Sequence, residues 1–314
     1  MRYLDRTAVA LTVAAVALLV ADALLADWVR FIGLQSLSRG LVALGMLVLW
    51  RTGLISFGHA LYFGTGAYVA ALLSLVGVTD AVVLVIAGTT VAGVLAYLLG
   101  FLLRRYRAIF FALLNLAFSM ILYGVLAKTE AIGSTDGLGV APPTFLGYEP
   151  EGDQTQVVLF AFTVVLAYAV AMAVHLYLRS TLGQMTTAVR ENEIRLEYLG
   201  YSVERAVHVK YVISGITAGL GGVIMALAVG QVDPDSMAYW SVSGDFVFIA
   251  ILSGPGNVAA PFIGALVYEL IRTYAFEYAA HIWQFILGAT LLIIIMFLPE
   301  GLWSILTRLR RARA

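Results

Sequence analysis

Seven polar or ionisable residues stand inside otherwise apolar stretches of this 314-residue sequence: Arg39, His59, Asn115, Asp245, Glu269, Arg272 and Gln284. Groups of this kind relay protons, pair across helices or coordinate a small polar solute, because an apolar medium tolerates a charge only when it is partnered or faces a cavity. Glu269 and Arg272, three apart on a helix, are expected to pair with each other. His59 and Asp245 fit either a solute path or hydrogen bonds between helices, and the sequence leaves both open. Covalent chemistry has no comparable footing. There is no Gly-x-x-x-x-Gly-Lys-Ser/Thr loop to cradle a nucleotide, no His-Glu-x-x-His pair and no Gly-x-Ser-x-Gly elbow, so any ATP is hydrolysed on another polypeptide. The absence of cysteine excludes a disulfide, a thiolate metal site and a cysteine nucleophile. The expectation is a chain that is no enzyme, with no catalytic, cofactor-binding or metal-ligating residues of its own.

The elements that hold these residues are membrane spans. The sequence is 61% hydrophobic and 12% charged, and a helix of roughly 20 apolar residues crosses about 30 Å of hydrocarbon. Residues 8–25, 81–103, 108–127, 157–178, 211–229, 258–274 and 282–298 are continuous spans. Less regular apolar pieces at 34–50, 54–76 and 242–253 add three more elements, at least two of them short or broken. The reading is an all-α polytopic membrane protein of about ten transmembrane or half-membrane helices in one transmembrane domain, 1–314. The first run is too long for a signal h-region and is read as a retained span.

Ten elements with both ends in the cytoplasm predict where the basic residues fall. Arg2, Arg6, Arg51, Arg104, Arg105, Arg107, Arg179, Arg190, Arg195, Arg205, Lys210 and the C-terminal arginines all land on the cytoplasmic side, and only Arg30 and Lys128 land outside. An eight-span count also keeps both ends inside. The outer segment 128–156 is acidic and carries Pro142 and Pro143. The inner segment 179–210 reads as one short amphipathic helix: Met185, Ala188, Val189, Asn192, Leu196 and Leu199 recur at spacings of three and four, and Gly200 ends it. Such a helix serves equally as a rigid handle for a separate motor or as an element lying on the headgroups.

Glycines interrupt two hydrophobic elements. The first cluster runs from Gly53 through Gly58 and His59 to Gly64 and Gly66. The second is 253–257, with Gly254 and Gly256. Taken as matching interruptions, they suggest inverted repeats around a central path, with Asn115 and Asp245 as further candidates to line it. Gly88, Gly93 and Gly100 are assigned to helix packing.

Several of these segments are similar to a known family. GLISFGHALYFGTGAYVAA over 53–71, AIFFALLNLAF over 108–118, GSTDGL over 133–138, the stretch 182–222 and FLPEGL over 297–302 follow in the order found in the M-type permease subunit of branched-chain (hydrophobic) amino-acid ABC importers. Two departures stand out: residues 184–187 lack the family's arginine-rich opening, and Thr135 is inserted in the outer motif. The resemblance implies an inverted-repeat, type II importer permease in the cell membrane, working by alternating access. Its implied partners are a second homologous permease subunit, two cytoplasmic ATP-binding subunits that hydrolyse ATP and an extracytoplasmic substrate-binding protein. Arg190, Glu191, Asn192, Glu193, Leu199 and Gly200 would form the ATPase-coupling element. The same architecture serves urea and short amides. The alternatives outside the family are a proton- or ion-coupled secondary transporter, with His59, Asp245 or Glu269 titrating, and a purely structural membrane scaffold.

Overall fold

A computed structural model describes residues 5–152, 154–298 and 301–304. Arg2, the arginines at 308, 310, 311 and 313, Asp153 of the acidic segment, and Pro299 and Glu300 of the last family motif lie outside the described residues. The described chain is helical almost throughout: α1 (Arg6–Asp22), α2 (Asp27–Trp50), α3 (His59–Leu75), α4 (Ala81–Leu103), α5 (Ala108–Lys128), α6 (Gln154–Arg179), α7 (Thr181–Glu191), α8 (Glu193–Tyr198), α9 (Val203–Val229), α10 (Pro234–Met237), α11 (Trp240–Ser253), α12 (Ala260–Ala279) and α13 (Trp283–Phe297). Six of these units, 27–50, 81–103, 108–128, 154–179, 203–229 and 234–253, are long and apolar enough to cross a membrane.

Polar contacts sort the connections into two ends. At one end Asp5 meets His175 and Arg179, Asn257 donates to Thr7, Arg51 donates to the Pro255 carbonyl, and Arg104 and Arg107 pair with Glu204 and Glu193. At the other end Arg30 pairs with Asp22, Ser74 accepts from Ala141 N–H, Asp80 accepts from Leu146 N–H, and the short strands β1 (Leu138–Gly139) and β2 (Gln231–Val232) run antiparallel. Alternation between these ends gives ten helical passes: α1 to α6, α9, α11, α12 and α13. The Asp5 carboxylate caps α1 by accepting from Ala8 N–H. That bond, followed by the charges of His175 and Arg179, holds it below the ordinary aspartate range despite partial burial.

The second span is longer than its apolar pattern. Helix α2 is unbroken from Asp27, where the sequence indicates a start near residue 34. Arg30 interrupts the pattern, but Asp22 and Asp27 neutralise it at 2.9 and 2.5 Å, so the helix continues through it. The matching of interruptions also changes. In element order, the non-helical stretch 51–58 between α2 and α3 corresponds to 230–239 between α9 and α11, whereas 253–257 corresponds to the short link between α3 and α4. Each half then reads as a preceding helix, a long buried helix, an interruption, a short helix and two more. Five passes per half place the second in the opposite sense to the first, as an inverted repeat requires.

Packing crosses between the halves. Helices α3 and α4 lie against α9, while α11 and α12 lie against α2, and α2 and α9 make the largest contact in the protein. Lipid tails are as apolar as leucine, so close approach of backbones must supply the attraction. Helix α9 meets this need with small residues: a Cβ on Gly222 would collide with the Phe63 carbonyl, and one on Gly219 with Ala92. Ser38 of α2 donates to the Gly221 carbonyl at 2.7 Å. Helix α1 turns Val9, Val13, Val16 and Val20 outward, and α5 does the same with Ile109, Phe110, Leu113, Ile121 and Val125.

Replacing Gly222 by valine is expected to lower stability by at least about 1–3 kcal/mol, the range for overpacking, because backbone rather than a yielding side chain opposes it. Thermal unfolding of the detergent-solubilised protein checks this; Gly244→Ala, which has open space, serves as the control.

Candidate functional site

Half-way along the bundle a hydrogen-bonded chain joins both halves. Tyr62 of α3 donates to Tyr211 of α9 at 2.6 Å, Tyr211 donates to Asn115 Oδ1 of α5 at 2.5 Å, and Asn115 Nδ2 donates to its own Phe111 carbonyl at 2.7 Å. Nearby, His59 Nε2 lies 2.5 Å from Ser214 Oγ, and Ala60 N–H donates to Ser243 of α11. His59 and Asn115 are fully buried. His59 thus joins α3 to α9 and Asn115 joins α5 to α9, while the Ala60 N–H ties α3 to α11. The glycine candidates are likewise closely packed: Gly58 against the Asn115 backbone, Gly64 against Met237 and Ala238, Gly66 against Gly219, Gly254 against Gly301 and Gly256 against Trp303.

The four intramembrane charges form one neutral cluster on α2, α11 and α12. Arg39 Nε pairs with Glu269 at 2.8 Å and its Nη1 lies 3.9 Å from Asp245. Its guanidinium also lies over the Tyr268 ring, 5.6 Å from the centroid. The expected Glu269–Arg272 pair is thus replaced: Glu269 is turned inward and nearly inaccessible, Arg39 reaches it from the facing helix, and Arg272 sits over Trp283. A partner across the bundle wins over an i,i+3 neighbour because it satisfies two buried charges at once. Asp245 differs from Glu269. Its side chain is 22% exposed, at mid-depth, on a face where bare hydrocarbon would be costly. Gln284 is exposed. A groove of roughly 280 Å³ lies elsewhere, among Leu11, Ala15, Gly33, Phe160, Ala171 and Phe262, and none of the residues singled out from sequence lines it.

At the basic end, the expected single amphipathic helix is two. Asn192 ends α7 in an extended conformation, then caps α8 by accepting from Arg195 N–H. Asparagine's preference for capping breaks the helix where the periodic pattern would carry it through. Val189 and Leu196 are buried, but Leu199 is 69% exposed. Gly200 closes α8 at φ +84°. Arg190 lies beside Gly53, Glu193 pairs with Arg107 at 2.7 Å, and Glu191 is exposed. Only part of the periodic stripe, Val189 and Leu196, points inward, and the stripe misses further residues that project: Ile194, Tyr198 and Tyr201 are exposed beside Leu199. The four-residue spacing of Ile194 and Tyr198 is the signal for this second apolar face.

Residues 30–295 match the family described as the permease component of the branched-chain amino acid transport system. The high-affinity branched-chain amino acid transport system permease protein LivM of Escherichia coli K12 is 30% identical over 290 residues, covering 83% of this chain and 67% of that protein. The Salmonella typhimurium LT2 protein of the same name is 29% identical with the same coverage. The chain belongs to this permease family. No solved structure matches it. The permease is accordingly a multi-pass membrane subunit of an ABC importer, and its family works with further components of a transport system. Within the permease, the mid-depth polar groups and the α7–α8 projection are two separate features at different depths, joined by α9.

Tyr211→Phe removes a donor to Asn115 and an acceptor for Tyr62. Its expected cost is about 1–3 kcal/mol for the polar groups left buried. Thermal stability of the single variant, and of Tyr62→Phe/Tyr211→Phe, measures the coupling, and the double variant should cost less than the sum of the singles.

Proposed function

We propose that this permease carries branched-chain amino acids inward by alternating access, paired with a second homologous permease subunit, driven by two ATP-binding subunits and supplied by an extracytoplasmic binding protein. The observation that carries the reading is the α7–α8 projection. It presents Ile194, Tyr198, Leu199 and Tyr201 to a partner and is braced on the bundle by Arg107–Glu193. Apolar side chains on a short rigid element are what a groove on a motor protein grips. ATP is bound and hydrolysed by those partners, and this chain contributes none of that chemistry. Family membership and the LivM relatives' names support the substrate class.

The basic end, which holds Arg51, Arg104, Arg105, Arg107, Arg179 and Arg190, faces the cytoplasm by the positive-inside rule. The acidic segment 128–156 then faces the binding protein. The face of α11 that bears Asp245 turns toward the second permease, where an aqueous path removes the cost of a partly exposed carboxylate. Helices α5 and α13, both rich in exposed apolar residues, flank that face.

Mild solubilisation from the native membrane is expected to recover the chain with an ATPase and a second permease; recovery alone would remove most support for this reading. Replacing Glu191 and Glu193 by alanine should reduce uptake at least tenfold while ATP hydrolysis and folding persist. Arg107→Gln should reproduce the Glu193 part of the effect, since it breaks the same brace. Normal uptake in the double variant would count against docking through α7–α8.

A further inference from the structure

The neutral charge cluster is only partly satisfied. Glu269 is nearly inaccessible and ion-paired with Arg39 Nε at 2.8 Å, although its Oε1 makes no well-aligned hydrogen bond. Asp245 is partly open, and Arg39 Nη1, the nitrogen that faces it, is buried without a hydrogen bond. Their separation of 3.9 Å exceeds the roughly 2.7–2.9 Å of a made charge-assisted bond. One donor and one carboxylate thus stand opposite each other with the bond between them unformed, at mid-depth, on a helix edge that is not sealed. Arg272, the remaining charge of the group, is occupied over Trp283.

Resting on the permease reading above, we propose that Arg39 and Asp245 form a subsite for the charged end of a zwitterionic α-amino acid. The ammonium pairs with Asp245, and the carboxylate with Arg39 Nη1. Charge balance favours this class of ligand. The cluster holds two positive and two negative groups, so a zwitterion adds no net charge to a low-dielectric site, whereas a simple cation or anion would leave one uncompensated. The neighbouring residues fit an apolar side chain. Val242 and Phe248, one turn either side of Asp245 on the same face of α11, are half-buried. Glu269 holds Arg39 in place through the ion pair at Nε while Nη1 stays available to the ligand.

The test uses the complete importer in proteoliposomes with labelled leucine. ATP-dependent uptake by the unaltered complex is the control: its absence would overturn the permease reading rather than the subsite. Asp245→Asn is expected to lower uptake at least tenfold, while ATP hydrolysis stimulated by the loaded binding protein stays within twofold and the melting temperature is unchanged. Asp245→Glu, which keeps the charge, should retain half or more of the uptake. In a second readout, millimolar leucine should raise the melting temperature of the solubilised complex. Leucinamide and 4-methylpentanoate, each lacking one charge, should not, and Asp245→Asn should abolish the leucine effect. Uptake within twofold of the unaltered protein in Asp245→Asn would overturn the subsite. So would equal protection by all three compounds, or a fall in uptake matched by a fall in melting temperature.

Discussion

Hydrocarbon offers helices no hydrophobic reason to associate, so everything in this bundle depends on backbones coming close enough for dispersion and a few polar bonds to hold them. Helix α9 carries that burden. Its glycine run lets α2, α3 and α4 pack within side-chain-free distance, with Gly222 against the Phe63 carbonyl and Gly66 against Gly219. Once this seam is set, the first half's short helix is fixed against the second half's long one, and the reverse holds for α11 and α12 on α2. The exchange makes the two halves one body, so neither repeat folds its core alone.

The polar interior follows from that seam. Tyr62, Tyr211 and Asn115 meet only because α3, α9 and α5 are already aligned, and in this setting each bond removes a donor or acceptor that would otherwise face hydrocarbon. The charges obey the same rule with a larger penalty. Arg39 and Glu269 lie near the middles of α2 and α12, and satisfying both from one contact fixes the rotation of each helix. Asp245 is the exception because its helix lies at the edge. What surrounds it decides whether it is tolerable, which makes it an indicator of which face meets water or a partner.

Much of this was legible in sequence, for a physical reason. The thickness of hydrocarbon imposes a length on every span, so α4, α5, α6 and α13 lie close to where their apolar runs indicate, whereas α9 begins eight residues ahead of its run. The failures share a different reason: they occur where a distant residue changes the cost of a local one. Arg30 cannot be placed in a helix until Asp22 is known to neutralise it. Glu269 seems to belong to Arg272 until α2 brings Arg39 across. The second interruption was sought at Gly254-Pro255-Gly256, the strongest glycine signal, whereas the repeat places it at 230–239, where Gly230, Asp233 and Pro234 end one helix and cap another. At Asn192 the information was local, and periodicity masked it: a residue on the apolar stripe was in fact a cap. The polarity and small size that mark Gly58, His59, Gly64, Gly66 and Asn115 as path candidates are properties that packing demands equally, so sequence does not separate the two roles.

The division between tight and loose packing assigns different mechanical roles to the helices. The α7–α8 element leaves α6 through Ser180 alone and enters α9 within four residues of α8, so a displacement of it is delivered directly to the central helix. Because α3 and α4 are locked to α9, they must move with it. Helix α5 makes only sparse contacts and is tied to α9 chiefly through Asn115 and Tyr211, whereas α11 is packed on α2 and α12 and is also joined to them by the Arg39 cluster. A shift of α5 relative to α9 therefore strains a polar connection before it strains any packed seam. Hydrogen bonds and ion pairs switch between discrete partners more readily than close-packed backbones deform. The scarcity of packed contacts thus concentrates the bundle's freedom to rearrange at α5, which lies beside α11 and its partly exposed Asp245.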